Sequence, residues 1–147
     1  MGRLGHTAVY NREEHAIYIF GGQQEHLSGS GGMVRDFKND LWKMCLNTGK
    51  YERQDMAKMS AVSRRMHSAG FMISQYFFLI GGKSEVGKTL NDILVMDTKQ
   101  KSGKIITSEI NASLKFLKPV CQSTCCAAYF ASRYDNEGFN LVLDRVC

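Results

Sequence analysis

The stretch GGKSEVGKT (Gly81–Thr89) has the residue types and spacing that best suggest chemistry in this 147-residue chain. From Gly82 onward it matches the phosphate-loop pattern of a glycine, four residues and Gly-Lys-Thr. In such loops backbone amides hold phosphate oxygens, the lysine contacts the β and γ phosphates, and the threonine holds magnesium. The apolar run FFLI (Phe77–Ile80) stands where the preceding strand would be. Nucleotide binding by Gly82–Thr89 is therefore one hypothesis for this chain.

The cysteines are the second group with chemical potential. There are five, at positions Cys45, Cys121, Cys125, Cys126 and Cys147. An odd count with three clustered residues does not predict a disulfide framework, and it favours a reducing compartment. Structural zinc takes two pairs of closely spaced ligands, and here the second pair is missing. We therefore expect no metal site and no cofactor, and a location in the cytoplasm, including its cytoskeleton.

Charge and hydropathy limit the classes of partner. The net charge is +5, and the basic residues are scattered along the chain. A nucleic-acid-binding surface would show a clustered basic stripe, so no nucleic-acid partner is predicted. No apolar run approaches the ~18 residues of a membrane helix, so no membrane partner is predicted.

An internal repeat explains more of the chain than either motif. The segment RLGHTAVYNREEHAIYIFGG, from Arg3, aligns with RRMHSAGFMISQYFFLIGG, from Arg64. This alignment pairs the two Arg-x-x-His motifs and brings together two double glycines at the segment ends. The residues it identifies as a shared structural motif are His6, Gly21, Gly22, His67, Gly81 and Gly82.

The repeat continues downstream of each glycine pair. NDLWKMCLNTGKYE begins at Asn39-Asp40, and NDILVMDTKQKSGKII begins at Asn91-Asp92. Both read as a strand, a turn at a Gly-Lys pair and a second strand. A weaker third copy near the end of the chain keeps the strand LVL but has Asp144-Arg145 in place of the glycines.

The pattern predicts an all-β fold in which each complete repeat contains four short strands. Apolar runs such as IYIF and ILVM suit sheets that are packed on both faces. Four strands per repeat with two apolar faces indicate radially stacked blades. The predicted strands are His6–Tyr10, Ala16–Phe20, Asp40–Cys45 and Tyr51–Asp55, and then Ser68–Ile73, Tyr76–Ile80, Asp92–Asp97 and Ile105–Glu109. The predicted repeats span residues 3–55 and 64–109, with a degenerate start of a third at 121–147.

These residues resemble the kelch repeats of β-propellers. The resemblance rests on the double glycine after an apolar strand, the preceding Arg-x-x-His-Ser/Thr and the following Asn-Asp-aliphatic. It implies about two and a half four-stranded antiparallel blades of an incomplete propeller. It also implies a non-catalytic scaffold or adaptor that binds other proteins.

Physical reasons can be given for the motif residues. A glycine pair at the end of a strand permits positive φ and close approach of neighbouring backbone. Asn39-Asp40 and Asn91-Asp92 can hold turn amides where the third strand begins. The two histidines, His6 and His67, are expected to bond locally as structural residues.

The repeat weakens the phosphate-loop hypothesis. Gly82 has a counterpart in Gly22, which no Gly-Lys-Thr follows. The segment after Thr89 aligns with a predicted strand, whereas a phosphate loop requires a helix there. The preferred prediction for this stretch is an exposed loop between strands, with nucleotide binding kept as the alternative.

Exposed loops at the glycine end of the blades are the predicted partner surface, because binding residues concentrate on loops held by a rigid scaffold. The loop Gln23–Lys38, with a flexible Gly29–Gly32 cluster, and the connection between repeats emerge at this end. The resemblance implies that arginines on such a face meet acidic groups of partner proteins. The predicted contact residues are His26, Arg35, Arg64, Arg65, Lys83 and Lys88.

Two and a half blades cannot close a ring of four to eight. The chain is therefore expected to work inside a larger protein or assembly, in which another chain or segment completes the propeller. No clustered carboxylates or Ser-His-Asp arrangement indicates an enzyme. The resemblance leaves open an enzyme subunit of the kelch-like oxidase type, with its chemistry on other blades.

Overall fold

The computed structural model describes residues 2–57 and 62–105, together with the backbone of two strands at 128–135 and 138–145. All named elements in this part are β-strands in antiparallel sheets, which confirms the all-β prediction. None of these residues forms a helix long and apolar enough to cross a membrane.

The first repeat forms a four-stranded antiparallel sheet, which we call blade 1. Its strand order is β1-β2-β5-β6, so each strand lies beside the next one of the blade along the chain. Between β2 and β5 the chain forms a separate two-stranded hairpin, β3–β4. The bounds are β1 Thr7–Asn11, β2 Ala16–Phe20, β3 Gln23–Leu27, β4 Met33–Phe37, β5 Leu41–Cys45 and β6 Tyr51–Gln54.

The second repeat forms an equivalent sheet, blade 2. Its long strands β9 and β10 pair with each other, β11 lies beside β10, and both β7 and β8 pair with β9. The bounds are β7 Arg65–Met66, β8 Ala69–Ile73, β9 Tyr76–Ser84, β10 Thr89–Asp97 and β11 Ser102–Ile105. The fourth strand begins before the predicted Ile105, because Asp97 pairs with Ser102 directly across the turn. The rest of that predicted strand, 106–109, lies outside the described residues.

A further two-stranded sheet lies within the predicted degenerate repeat. It is an antiparallel hairpin of β12 (Ala128–Asp135) and β13 (Gly138–Arg145). Only its backbone is described. Four of the cysteines, Cys121, Cys125, Cys126 and Cys147, lie outside the described residues.

The hydrophobic core lies between blades 1 and 2. Alternate residues of β2, namely Ala16, Tyr18 and Phe20, are fully buried, as the period of two in a strand requires. Their cluster includes Phe77, Leu79, Leu94 and Met96 of blade 2, all 0% exposed. Strands β1 and β8 bring the two sheets together. Close contact there requires Gly70, since a Cβ atom on it would lie 2.5 Å from Thr7 Cγ2.

Strand register shows that the sequence alignment of the two repeats is one residue out at their start. Leu4 pairs with Gln23, just after the first glycine pair, and Met66 pairs with Lys83, just after the second. Arg3 is therefore equivalent to Arg65, and the predicted match of Arg3 with Arg64 is wrong.

The same shift corrects the histidine assignment. Gly5 and His67 occupy equivalent positions, with φ of 66° and 57°. The His67 amide donates a hydrogen bond of 2.7 Å to the Gly5 carbonyl and so links the two blades through the backbone. The side chains of His6 and His67 are both exposed. The two histidines are therefore not a shared structural motif of the repeat.

Candidate functional site

Blades 1 and 2 each hold an arginine at the glycine end, paired with an aspartate in an arrangement that we call a clamp. In blade 1, Arg3 donates two hydrogen bonds to the Asp40 carboxylate, at 2.5 and 2.7 Å, and one of 3.0 Å to the Gly21 carbonyl. Such paired N–H···O contacts fix both the distance and the plane of the two groups. The clamp therefore ties the chain before β1 to the start of β5.

The clamp of blade 2 repeats this geometry. Arg65 donates to the Asp92 carboxylate at 2.6 and 2.7 Å and to the Gly81 carbonyl at 3.1 Å. Its side chain is 0% exposed, whereas that of Arg3 is 14% exposed. The prediction that Arg65 contacts a partner at the surface is therefore wrong, because this arginine is used inside the blade.

The single tryptophan belongs to the first clamp. Trp42 Nε1 donates a hydrogen bond of 2.7 Å to Asp40 Oδ2, and the Arg3 guanidinium lies 5.9 Å from the indole ring centroid. Burial raises the pKa of Asp40, but hydrogen bonds from Arg3 and Trp42 lower it more, so the pKa lies below its ordinary value. Asp40 is thus held as a carboxylate.

The first glycine pair, Gly21-Gly22, lets the two blades approach each other. Gly21 has a φ of 63°, and a Cβ atom on it would lie 2.6 Å from the Arg65 carbonyl oxygen. Its neighbour Gly22 donates a backbone hydrogen bond of 2.8 Å to that oxygen. Asn39 adds a side-chain hydrogen bond of 3.0 Å to the Val62 carbonyl. The side chain of Asn91 is outside the described part.

The segment predicted as a loop, Gln23–Lys38, is instead largely the β3–β4 hairpin. The cluster predicted to be flexible, Gly29–Gly32, forms its turn, which is closed by a hydrogen bond of 2.7 Å from the Ser28 amide to the Gly32 carbonyl. On the strands, Arg35 pairs with Glu25 at 3.1 Å, and His26 is exposed. Pairing of β3 with β4 satisfies the inward-facing amides and carbonyls of this segment.

The phosphate-loop match is also a hairpin. Lys83 lies on β9, Thr89 begins β10, and the four residues between Ser84 and Thr89 form the turn. Ser84 and Lys88 are joined by a backbone hydrogen bond of 2.9 Å, and the Lys88 amide contacts Ser84 Oγ at 3.2 Å. An antiparallel strand follows the motif, as the repeat predicted. A phosphate loop leads into a helix, so Gly82–Thr89 does not have that geometry.

Arg64 links the two hairpins. Its guanidinium lies 3.9 Å from Asp36 of β4 and 3.7 Å from Glu85 in the β9–β10 turn. Lys38 also pairs with Asp36, and this hydrogen bond lowers the pKa of Asp36. We call the β3–β4 hairpin, the β9–β10 turn with its flanking lysines, and Arg64 together the hairpin face. It brings together His26, Arg35, Arg64, Lys83 and Lys88 of the predicted contact residues, but not Arg65.

The hairpin face is apolar at its tips and charged around them. The exposed apolar side chains are Leu27 (71%), Met33 (61%), Val34 (39%) and Val86 (83%). Beside Arg64 lies a polar cleft of about 190 Å³, lined by residues 36–40, Arg53 and Arg64. Ion pairs occupy Arg35, Lys38 and Arg64, whereas Lys83 and Lys88 make no ion pair with the described residues.

A metal site in the described part of the chain would need several His, Cys, Asp or Glu side chains close together. Among residues 2–57 and 62–105, no three His, Cys, Asp or Glu side chains lie together as a metal site. Cys45 is a free, half-buried thiol whose pKa is lowered by a hydrogen bond with Thr48. It lies on β5, at the end of the blade away from the hairpin face.

Sequence reasoning missed Arg3, Asp36 and Glu85. Arg3 had a signal, because the two clamps share the order arginine, glycine pair and Asn-Asp, and this order becomes visible once Arg65 is aligned with Arg3. Asp36 and Glu85 had none, since they meet Arg64 from hairpins far apart in the chain.

Comparison with known proteins shows the fold and no more. No protein-family model matches the chain, and no curated protein matches it. Among solved structures, "Structure of YjhT" superposes with a TM-score of 0.52 at 17% identity, over 71% of this chain and 30% of that one. YjhT is a β-propeller, so blades 1 and 2 have the architecture of an incomplete β-propeller. The chain matches less than a third of the length of that structure.

Proposed function

We propose that this chain is a non-catalytic protein-interaction scaffold, a kelch-like propeller segment whose hairpin face binds a partner protein. The observation that carries the proposal is the pair of rigidly based hairpins joined through Arg64 to Asp36 and Glu85. Apolar side chains at the tips with charges around them are the composition of a protein interface, in which an apolar centre is surrounded by a polar rim.

Charge indicates the kind of partner. The ion pairs on the hairpin face leave Lys83 and Lys88 as exposed cations on either side of the exposed Val86. Complementary charge speeds encounter and selects the partner more than it adds affinity. The proposed partner surface is therefore acidic, with an apolar patch that covers Val86 and Leu27.

The test is affinity purification of the full chain from cells that produce it, with quantitative mass spectrometry. We expect the double variant Lys83→Glu, Lys88→Glu to lose its main partner about tenfold or more, corresponding to roughly 1.4 kcal/mol. The matched control is Lys50→Glu, an exposed lysine in the β5–β6 turn at the opposite end of blade 1. Equal recovery of every partner with both variants would contradict the proposal.

The alternative of nucleotide binding has its own measurement. Calorimetric titration of the full chain with ATP or GTP and magnesium should give no saturable binding. Saturable binding that needs magnesium and disappears in Lys88→Ala would replace the scaffold proposal with a nucleotide-binding one.

A further inference from the structure

The sheet of blade 1 has two faces, and blade 2 covers one of them. Residues paired across neighbouring strands share a face, so the register places Tyr18, Phe20 and Leu41 on the covered one. Their exposures are 2%, 1% and 1%. We call the other side of this sheet the open face. On β1, β2 and β5 it carries Ala8, Tyr10, Ile17, Ile19, Trp42 and Met44, and on β6 it carries Tyr51 and Arg53.

Apart from Arg53 on β6, the side chains of the open face are apolar or aromatic, and solvent reaches them. Tyr10 is 49% exposed, and Ile17, Ile19 and Met44 on the middle strands are half-buried rather than buried. The three strands β1, β2 and β5, with five residues each, measure roughly 17 by 14 Å, which is about 240 Å² in projection. An apolar patch of a few hundred Å² is often a binding site, and the comparison with blade 2 indicates what this one contacts.

The face of blade 2 that is equivalent to the open face shows what such a face contacts. Phe20 and Ile80 both precede a glycine pair, and they pair with Leu41 and Ile93 respectively. Counting along the strands from these pairs makes Ile17, Ile19, Trp42 and Met44 equivalent to Phe77, Leu79, Leu94 and Met96. All four blade 2 residues are 0% exposed, because they pack against the covered face of blade 1. The open face is therefore the equivalent, in blade 1, of a blade-to-blade contact.

The backbone carbonyls that accept hydrogen bonds between blades 1 and 2 also have equivalents at the open face of blade 1. Thr7 Oγ1 donates a hydrogen bond of 2.7 Å to the Ser68 carbonyl, and the Gly22 amide donates one of 2.8 Å to the Arg65 carbonyl. In blade 1 the equivalents of these two acceptors are the carbonyls of His6 and Arg3. A docking sheet would place a threonine-like hydroxyl and a glycine amide against them.

We propose that the open face binds a propeller blade of a different polypeptide. The occupant is a four-stranded antiparallel sheet with bulky apolar residues along its two middle strands and a glycine pair at the end of its second strand. A second copy of this chain fits less well, because its complementary faces are already buried. Tyr18 and Phe20 are covered by blade 2, and Phe78 and Ile93 on the far side of blade 2 are 7% and 4% exposed.

This inference rests on one part of the proposed function, namely that the chain is a propeller segment. It uses a different surface, since the open face is one side of the blade 1 sheet and the hairpin face lies at the glycine ends of the strands. The two proposals can therefore fail separately.

The experiment places a photo-crosslinking amino acid at Tyr10 of the full chain, in cells that produce the protein. The control carries it at Val86, on the hairpin face. We expect Tyr10 to crosslink to a different polypeptide, at a strand of a four-stranded sheet whose second strand ends in a glycine pair. Crosslinks within the same polypeptide, to a second copy, to a segment that is not such a sheet, or to nothing would overturn the proposal.

Variants separate this contact from the hairpin face. Ile19→Lys should reduce the Tyr10 crosslink at least tenfold, whereas the conservative Ile19→Val should keep it. The double variant Lys83→Glu, Lys88→Glu should also keep it while losing the hairpin partner. If circular dichroism shows that Ile19→Lys is unfolded, the exposed change Tyr10→Glu, with the crosslinker moved to Met44, takes its place. A crosslink that survives the lysine or glutamate change in a folded protein would contradict the inference.

Discussion

The clamps and the hairpin face use the same residue types, and they differ in how far water reaches them. Arg65 and Arg64 are neighbours in the chain, yet the side chain of the first is 0% exposed and that of the second 53% exposed. Arg65 meets one carboxylate at 2.6 and 2.7 Å, whereas Arg64 lies 3.7 and 3.9 Å from two different ones. A buried, paired charge fixes structure, whereas a solvated charge remains available to a partner.

The two clamps also differ from each other. The first clamp adds the Trp42 indole to its Asp40, and its arginine keeps some contact with solvent. The second clamp has a fully buried arginine, which donates a hydrogen bond to the Ser63 carbonyl in addition to the one to Gly81. We therefore expect the second clamp to matter more for stability than the first.

The largest expected effect comes from removing the buried guanidinium. Arg65→Ala leaves Asp92 without its partner inside the blade, and breaking such a pair costs about 3–5 kcal/mol. Arg64→Ala is the matched control, and it should cost less than about 1 kcal/mol because its ion pairs are long and exposed. Arg3→Ala should fall between the two. Urea unfolding measures all three, and equal losses for Arg64 and Arg65 would contradict the comparison.

If Arg65→Ala does not fold, Arg65→Lys provides the measurement. Lysine keeps the charge but cannot make the two parallel hydrogen bonds to Asp92. We expect this variant to be folded and clearly less stable than the wild type.

Two glycine substitutions compare the packed glycine end of blade 1 with the exposed turn of the hairpin face. Gly21→Ala should cost more than 2 kcal/mol, because positive φ alone costs about 1–2 kcal/mol and its Cβ would overlap the Arg65 carbonyl. Gly31, in the β3–β4 turn, has a φ of 82° and no atom within 4 Å of an added Cβ. Gly31→Ala should therefore cost only the backbone strain. Thermal unfolding of both variants measures the loss of stability. A larger loss for Gly31→Ala than for Gly21→Ala would contradict the role given to the glycine pair.

The titration of Asp40 in the first clamp can be followed by changing the pH. The pKa of Asp40 is lowered in the folded protein, so its stabilising effect is complete above the unfolded value of about 3.9 and is lost as pH falls through the folded value. Because the single tryptophan donates to this carboxylate, its fluorescence should report the titration, with a midpoint below about 3.9.

Two variants check that assignment. Arg3→Met removes a group that lowers the pKa, so the fluorescence midpoint should rise. Asp40→Asn should abolish the transition altogether. A transition that persists unchanged in Asp40→Asn would show that the fluorescence reports another group.

The smallest effect is expected at the hairpin face. Arg35 and Glu25 form an ion pair whose side chains are 70% and 39% exposed. Arg35→Ala should change the free energy of unfolding by less than about 0.5 kcal/mol, because water solvates both charges once they separate. Urea unfolding in low salt is the sensitive condition, and a loss comparable to that of Arg3→Ala would mean that the hairpins support the blades.

Much of the fold could be predicted from the sequence because strand signals are local. The second predicted strand, Ala16–Phe20, agrees with β2 at both ends, and three other strands of blade 1 agree within one residue at each end. Apolar runs and turn residues lie next to one another in the chain, so their pattern is sufficient to predict where a strand begins and ends. The two hairpins of the hairpin face were predicted as loops, because polar residues with glycines carry no apolar alternation.

The sequence by itself determined the repeat, the all-β class and the glycine end of the blades, since each depends on neighbouring residues. Only the tertiary structure decided which arginine is buried. A left-handed residue, Gly5 in one repeat and His67 in the other, follows the strand pairing that places Arg65 inside the blade and leaves Arg64 outside. That choice depends on strand pairing between residues distant in the chain, and a one-residue change of register reverses it.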